Sequence, residues 1–206
     1  MRKLLLATGN PGKVVELTAL LARHLDLSQV ALLTLQDWPL LLPQVEEDGE
    51  TFRENALRKA YALTAATGIT ALADDSGLCV DALGGRPGIH SARWAGPGAT
   101  DTDRNRLLLR ELSDISREQR TAHFLCAIAV ASPEGESATA EGRCEGVILS
   151  EPRGANGFGY DPLFLLPTVD RTMAELLNAE KNEISHRARA MARIAPDLIA
   201  ILRLSV

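Results

Sequence analysis

Apolar residues along this chain fall into two kinds of pattern, short continuous runs and stripes with helical spacing. The run Lys3–Ala7 ends at the polar turn Thr8–Gly12, which is typical of a buried strand entering a turn. Apolar residues then recur at helical intervals, so a helix is predicted to begin at Pro11 or Gly12. Its apolar stripe is Val14, Leu17, Leu20 and Leu21, and its polar side is Lys13, Glu16 and Arg23.

A second helix is predicted between two local signals. Thr51 and Glu54 have the spacing of a capping box, and Gly68 is a typical C-terminal stop. Thr51, Asn55 and Lys59 are spaced four apart, so they line one polar face of this helix.

Beyond residue 68 the chain continues to alternate between strand and helix patterns. Strands are predicted over 69–73, 78–83, 124–131, 137–149 and 163–166. Between them lie an acidic turn at Asp74 and Asp75, a Gly- and Pro-rich loop over 84–100 and a helix over 101–112. A final helix is capped by Ser185, and Pro196 must kink or split it. This alternation predicts an α/β fold in which a central mixed β-sheet is flanked by helices. With 206 residues and no repeat or linker, residues 1–206 are expected to form one domain.

Composition and charge narrow the class of protein. The formal net charge of −5, without any cluster of Lys and Arg, argues against binding nucleic acid through its phosphate backbone. No apolar run approaches the length of a membrane span or a signal peptide core, so no membrane partner is expected. The three cysteines are widely spaced and form no CxxC pair. A reducing, cytoplasmic location is therefore the expectation.

The stretch ALADDSGLCV contains the clearest candidate chemistry. If Asp74 and Asp75 are both extended, their side chains point to opposite faces and do not form a simple pair. At the end of a strand in an open α/β sheet, a carboxylate can hold a divalent cation or act as a base. An Asx-type turn, in which Asp75 and Ser76 only satisfy local backbone donors before Gly77, is an equally good explanation of the stretch alone.

The turn TGNPGK, residues 8–13, has the physics of an anion site. It fails the P-loop pattern, because Gly9 and Gly12 are too close and Val14 replaces the Ser or Thr. Backbone N–H groups at a helix start and the ammonium of Lys13 in the first turn would nevertheless attract a phosphate.

Two further polar clusters are candidates for the same site. The acidic run 46–48 precedes the helix that contains Lys59, and one of its carboxylates is expected to share Mg²⁺ with Asp75. In the run KNEISHR, His186 and Arg187 fall in the first turn of the final helix, where cations oppose the helix dipole. An anionic or acceptor-rich ligand would offset that cost.

Five motifs occur in order: TGNPGK, ETFRENALRKA, ALADDSGLCVDALGGRPGIHSARWAG, GFGYDP and EKNEISHR. Together they resemble the inosine triphosphate pyrophosphatase family, which removes non-standard purine nucleoside triphosphates. The resemblance implies hydrolysis of ITP, dITP and XTP to the monophosphate and pyrophosphate, with Mg²⁺ as cofactor. It also implies a homodimer of elongated, two-lobed α/β subunits with a cleft.

The resemblance also implies roles for individual residues, with a water molecule attacking the α-phosphorus. Asp75 would accept the proton and bind metal together with Glu46, although Glu47 is an alternative to Glu46. Lys59 would help Lys13 and Mg²⁺ to neutralise the departing pyrophosphate. The substrate contacts implied are Thr8, Gly9, Asn10, Pro11, Gly12 and Lys13 for the phosphates, Phe158, Gly159, Tyr160 and Asp161 for sugar and base, Ser76 for the substrate without a stated part, Lys181 for the nucleotide, and His186 and Arg187 for the base.

Selection of the base is expected to depend on hydrogen bonding. Hypoxanthine and xanthine present a 6-oxo acceptor to donors such as His186 and Arg187, whereas adenine presents a donor there. Two alternatives remain open at this point. One is a module that senses a nucleotide without hydrolysing it, and the other is a pyrophosphatase for modified pyrimidines or dTTP-like substrates.

Overall fold

The computed structural model describes residues 1–38 and 42–204. Its strands are β1 (Arg2–Leu6), β2 (Val30–Thr34), β3 (Thr70–Val80), β4 (Thr121–Ala131), β5 (Ser137–Ile148), β6 (Phe164–Leu166) and β7 (Arg171–Thr172). Its helices are α1 (Pro11–His24), α2 (Phe52–Thr67), α3 (Asp101–Glu111), α4 (Asn178–Ile184) and α5 (His186–Leu202). Among the helices of these residues, none is both long and apolar enough to cross a membrane.

All seven strands belong to one sheet in the order β2-β1-β3-β4-β5-β6-β7. β1 is parallel to both β2 and β3, and β5, β6 and β7 pair antiparallel, which confirms the predicted mixed sheet. In the β1–β3 pair, Leu6 lies beside Leu72. β1 ends at Leu6, whereas β3 continues past Leu72 to Val80. Asp74 and Asp75 of β3 therefore lie just beyond the carboxyl end of β1, and α/β folds place their ligands beyond such strand ends.

The chain divides into two compact units, and the first consists of Met1–Asp75, Cys126–Gly142 and His186–Val206. Its core is formed where the apolar stripes of α1 and α5 pack with the buried residues of β1, β3 and β4. Leu17, Leu20 and Leu21 are buried as their helical spacing predicts, and Val14 is half-buried. The stripe of α5 is likewise buried, at Met191, Ile194, Leu198 and Leu202.

The second unit consists of Ser76–Leu125 and Arg143–Ser185, and it has a separate core. Leu108 of α3 and Leu112, which follows that helix directly, are buried there together with residues of β5 and β6. Phe124 and Phe164 pack with ring centroids 4.4 Å apart. Each unit thus has its own set of buried apolar side chains.

The structure corrects the prediction of an acidic turn after residue 73. β3 runs without interruption through Asp74, Asp75, Ser76 and Gly77, so these residues are extended and the Asx-turn alternative is wrong. A Cβ on Gly77 would lie 2.4 Å from the Ser91 side-chain oxygen and 2.5 Å from a backbone carbonyl. The glycine is therefore explained by a close approach to a neighbouring segment, which a local pattern does not reveal.

Other differences concern shorter elements. Residues 81–83 form a 3₁₀ helix where a strand was predicted, and a second 3₁₀ helix, Gly88–Arg93, lies within the predicted loop. β2, β7 and α4 were not predicted. α5 is continuous through Pro196, so the proline does not split it.

Candidate active site

Lys13 and the acidic residues meet because of the parallel β1–β3 pair. After β1, Asn10 caps α1 by accepting a 3.2 Å hydrogen bond from the backbone N–H of Lys13, and Pro11 occupies the first helical position. The turn between strand and helix is held by a further 3.2 Å bond from the backbone N–H of Asn10 to the Thr8 hydroxyl. The first turn of α1 thus begins next to the middle of β3, with Lys13 facing Asp74.

Asp74 is fully buried and lies at the centre of a group of charged side chains. Its Oδ2 accepts from Lys13 Nζ at 3.1 Å and from Arg187 Nη2 at 3.0 Å and Nε at 3.2 Å. Burial would raise the pKa of this carboxyl, but the Lys13 and Arg187 cations hold it well below its usual range. Asp74 is therefore ionised at every pH at which the protein would work.

Two residues complete this group. Glu16 of α1, expected on the polar side of that helix, is buried and accepts a hydrogen bond from Arg187 Nη1. Cys126 lies with its Sγ 3.9 Å from Asp74 Oδ2, and burial raises the pKa of this thiol to about 12.

Arg187 was predicted to approach a base, yet its guanidinium is bonded to two buried carboxylates. A contact between Arg187 and a base stays a prediction.

Asp75 lies in a different environment from its neighbour on β3. Its Oδ2 accepts a 3.1 Å hydrogen bond from Asn55 Nδ2, and its Oδ1 is 3.4 Å from Lys59 Nζ. Burial raises the pKa of Asp75 above the ordinary aspartate value, although the Lys59 and Lys13 cations oppose the shift. A carboxylate whose pKa is raised in this way is a better proton acceptor than a solvated one.

The polar face of α2 supplies both partners of Asp75, as the four-residue spacing of Asn55 and Lys59 predicted. Lys59 Nζ also donates to Glu47 Oε1 at 2.9 Å and to the carbonyl oxygen of Asp74 at 2.7 Å. Burial would lower the pKa of Lys59, but the carboxylates of Asp75, Asp74 and Glu47 keep it above its usual value. Asn55 accepts from the backbone N–H of Gly49 at 2.8 Å, which fixes the acidic loop against the helix.

Glu46 and Glu47 were both candidates for the acidic residue that binds metal with Asp75, and a metal contact of either residue stays a prediction. The side chain of Glu46 is exposed, whereas Glu47 is half-buried and shares Lys59 with Asp75. The sequence offered both residues, and no local signal distinguishes two adjacent carboxylates in a loop.

The Glu47 and Asp75 carboxylates fit a Mg²⁺ ion. An oxygen of each lies within 3.4 Å of the Lys59 ammonium, so both already face one cation. Mg²⁺ prefers hard oxygen ligands and is usually held by one or two carboxylates, with water and substrate phosphates completing its shell. Within residues 1–38 and 42–204, no three His, Cys, Asp or Glu side chains form a metal-binding group. The described residues therefore suit a metal that also depends on its substrate.

The second unit contains its own buried charged pair. Lys181 of α4 and Asp161 are both buried, and the ammonium of Lys181 donates to Asp161 Oδ2. The same oxygen accepts a 3.0 Å hydrogen bond from the backbone N–H of Phe158, and Lys181 Nζ lies 5.0 Å from the centre of the Phe158 ring. Phe158, Asp161 and Lys181 therefore form one ordered group.

The loop that contains Phe158 and Asp161 is held by hydrogen bonds to α3 and to Ser91. Gly159 donates its N–H to Asp101 Oδ2 at 2.7 Å and accepts at 3.0 Å from Asn105 Nδ2 with its carbonyl. The hydroxyl of Tyr160 donates to the carbonyl of Ser91 at 3.0 Å. Tyr160 is thus buried as an anchor of the loop.

The remaining predicted substrate contacts differ in exposure. Thr8, Gly12 and Ser76 are half-buried, Gly9, Asn10 and Pro11 are exposed, and His186 is buried at the start of α5.

Comparison with known proteins gives consistent matches along nearly the whole chain. The model of the Ham1 family matches residues 4–197. The dITP/XTP pyrophosphatase of Geobacter sulfurreducens is 50% identical over 198 residues, which are 96% of this chain and 97% of that protein. The dITP/XTP pyrophosphatase of Bacillus subtilis is 47% identical over 196 residues, covering 95% and 96% of the two chains.

Solved structures agree with this result. A HAM1 protein from Coxiella burnetii superposes with a TM-score of 0.84 at 40% identity, covering 97% of this chain and all (100%) of that one. A nucleoside-triphosphatase / dITP/XTP pyrophosphatase from Mycobacterium abscessus gives a TM-score of 0.75 at 46% identity, covering 95% and 99%. The predicted fold class and the family resemblance are both confirmed.

Proposed function

Because the chain belongs to the Ham1 family, we propose that it is a nucleoside triphosphate pyrophosphatase that converts ITP, dITP and XTP to the monophosphate and pyrophosphate. The curated relatives are named for dITP and XTP. One structural observation supports the proposal most directly. Asp75 and Glu47 both contact the Lys59 ammonium in the middle part of β3, where neighbouring Asp74 holds Lys13 at the start of a helix.

The triphosphate binds at the turn formed by residues 8–13. The N-terminus of α1 presents the positive end of its dipole, and the Lys13 ammonium is fixed beside it by Asp74. Because Lys13 is held before substrate arrives, its charge is already in place where negative charge develops on the leaving pyrophosphate.

Hydrolysis needs one proton acceptor and no covalent intermediate. Asp75 takes a proton from the attacking water, whose oxygen forms a bond to the α-phosphorus while the bond from that phosphorus to the β-phosphate oxygen breaks. When bound by Asp75 and Glu47, Mg²⁺ supplies positive charge that stabilises the departing pyrophosphate. Asn55 keeps the Asp75 carboxylate oriented through its 3.1 Å hydrogen bond.

Purine selection depends on donors and on a stacking surface. Phe158 offers a ring face, and Asp161 fixes the ammonium of Lys181 beside that ring. Lys181 and His186 donate to acceptor atoms of the base such as the 6-oxo group, which adenine lacks. Gly159, Tyr160 and Ser76 contribute to the base and sugar contacts. We further propose that the enzyme acts as a homodimer in the cytoplasm, which size-exclusion chromatography and cell fractionation test.

A single assay tests the reaction. The protein is incubated with Mg²⁺ and, separately, ITP, XTP, GTP, ATP or dTTP, and pyrophosphate and orthophosphate are measured. We expect far more pyrophosphate from ITP and XTP than from ATP, and a rate lowered by about 10²–10⁴-fold in the Asp75→Asn variant. Release of orthophosphate, or preference for dTTP, would contradict the assignment, and the absence of any release would favour a nucleotide sensor.

A further inference from the structure

Lys59 has an unusual position for a residue expected only to contact substrate. Its side chain is 12% exposed, and its Nζ lies between Glu47, at 2.9 Å, and Asp75, at 3.4 Å. A third oxygen, the Asp74 carbonyl, is 2.7 Å away. The ammonium has three N–H donors, and these three oxygens match them in number.

The two carboxylates that flank this ammonium are the same two that suit Mg²⁺. An ammonium and a metal ion cannot both lie between them, because the two cations would repel each other in a largely buried position. Asp75 is only 8% exposed and Glu47 31% exposed, so water screens this repulsion weakly. Lys59 must therefore leave at least one carboxylate when the metal binds.

We propose that Lys59 is an internal counter-ion for the magnesium site, which holds Glu47 and Asp75 together and moves to the substrate phosphates when Mg²⁺ binds. This inference rests on the proposed function. Lys59 keeps its hydrogen bond to the Asp74 carbonyl during this movement, because that oxygen belongs to the main chain of β3 and is not a metal ligand in the proposed site. Once displaced from the carboxylates, Lys59 has two N–H donors for phosphate oxygens.

The affinity for Mg²⁺ distinguishes a counter-ion from a residue that only binds phosphate. A side chain that only binds phosphate leaves metal affinity unchanged when it is removed, in the absence of nucleotide. A counter-ion that competes with the metal weakens Mg²⁺ binding. Its removal therefore tightens Mg²⁺ binding, while hydrolysis slows because the phosphates lose a cation.

The test is the dissociation constant of Mg²⁺ for the protein without nucleotide, measured by isothermal titration calorimetry. We expect Lys59→Met and Lys59→Gln to bind Mg²⁺ at least tenfold more tightly than the wild type. The matched control is Arg58→Met, which removes a positive charge from the adjacent position of α2, where the side chain pairs with exposed Asp48. This control should stay within about threefold of the wild type, because exposed charges are well screened.

The rise in Tm caused by Mg²⁺ is a second measurement, and two Lys59 variants are used in case one of them does not fold. Mg²⁺ that binds only the folded protein raises its Tm in proportion to ln(1 + [Mg²⁺]/Kd), so the rise at a fixed Mg²⁺ concentration should be larger in the Lys59 variants than in Arg58→Met. Unchanged or weaker Mg²⁺ binding in the variants that fold would overturn the inference. Should the wild type release no pyrophosphate from any nucleotide, the proposed function fails instead, whatever the Mg²⁺ affinities are.

Discussion

Asp74→Asn removes one negative charge from a fully buried position while keeping the size and shape of the side chain. In the wild type, Asp74 accepts from Lys13 at 3.1 Å and from Arg187 at 3.0 and 3.2 Å. Arg187 is 1% exposed, so the variant leaves it with Glu16 as its carboxylate partner and without access to water. Removing one partner of a buried ion pair costs about 3–5 kcal/mol.

That loss is large enough to measure by thermal or urea unfolding. For a chain of this length, it corresponds to a fall in Tm of roughly 6–20 °C. The matched control is Asp48→Asn, which breaks the exposed pair with Arg58 and should cost about 0–1 kcal/mol. If Asp74→Asn were no less stable than this control, the buried charged group would not stabilise the fold as argued.

The pH dependence of the same variant provides an independent check. In the folded protein the Lys13 and Arg187 cations hold the pKa of Asp74 below the ordinary aspartate value, which applies in the unfolded chain. The ionised carboxylate therefore stabilises the fold fully above that unfolded pKa, and the contribution is lost as the pH falls toward the folded pKa. The difference in stability between wild type and Asp74→Asn should be constant from about pH 5 to 8 and shrink below about pH 4. A difference that grows on acidification would refute the reasoning.

The remaining predictions concern catalysis and substrate binding. Asp75→Asn should lower kcat for ITP by about 10²–10⁴-fold while circular dichroism shows a folded protein, and a variant with near-full activity would exclude Asp75 as the proton acceptor. Lys181→Met should raise KM for ITP by about tenfold or more through loss of a charged donor, whereas exposed Lys3→Met should not.

Features with a local chemical signal were predicted well from the sequence. α2 begins after Thr51, whose side chain accepts from the N–H of Glu54, and ends at Gly68 in the left-handed conformation. α1 begins at Pro11 for equally local reasons, since proline is favoured in the first turn. The shared polar face of Asn55 and Lys59 also follows from spacing alone, and both side chains meet Asp75.

Features that depend on distant contacts were missed. Glu16 and Arg187 are 171 positions apart, and nothing near either residue indicates that they pair. Gly77 suggested a turn, but it is required because the strand passes close to Ser91. The choice between Glu46 and Glu47 depends on which side chain the folded loop directs toward Lys59. In each case the deciding partner is brought near only by the tertiary fold.

The continuity of β3 explains why the chain has two adjacent carboxylates. Successive side chains of a strand point to opposite faces, so Asp74 and Asp75 meet different partners although they are neighbours. The cations around Asp74 lower its pKa, whereas burial raises that of Asp75. Two carboxyl groups whose pKa values are pushed apart are suited to two different tasks. Asp74, held ionised by Lys13 and Arg187, is too weak a base to accept a proton and instead positions cations. This division of roles supports the proposal that Asp75 accepts the proton of the attacking water.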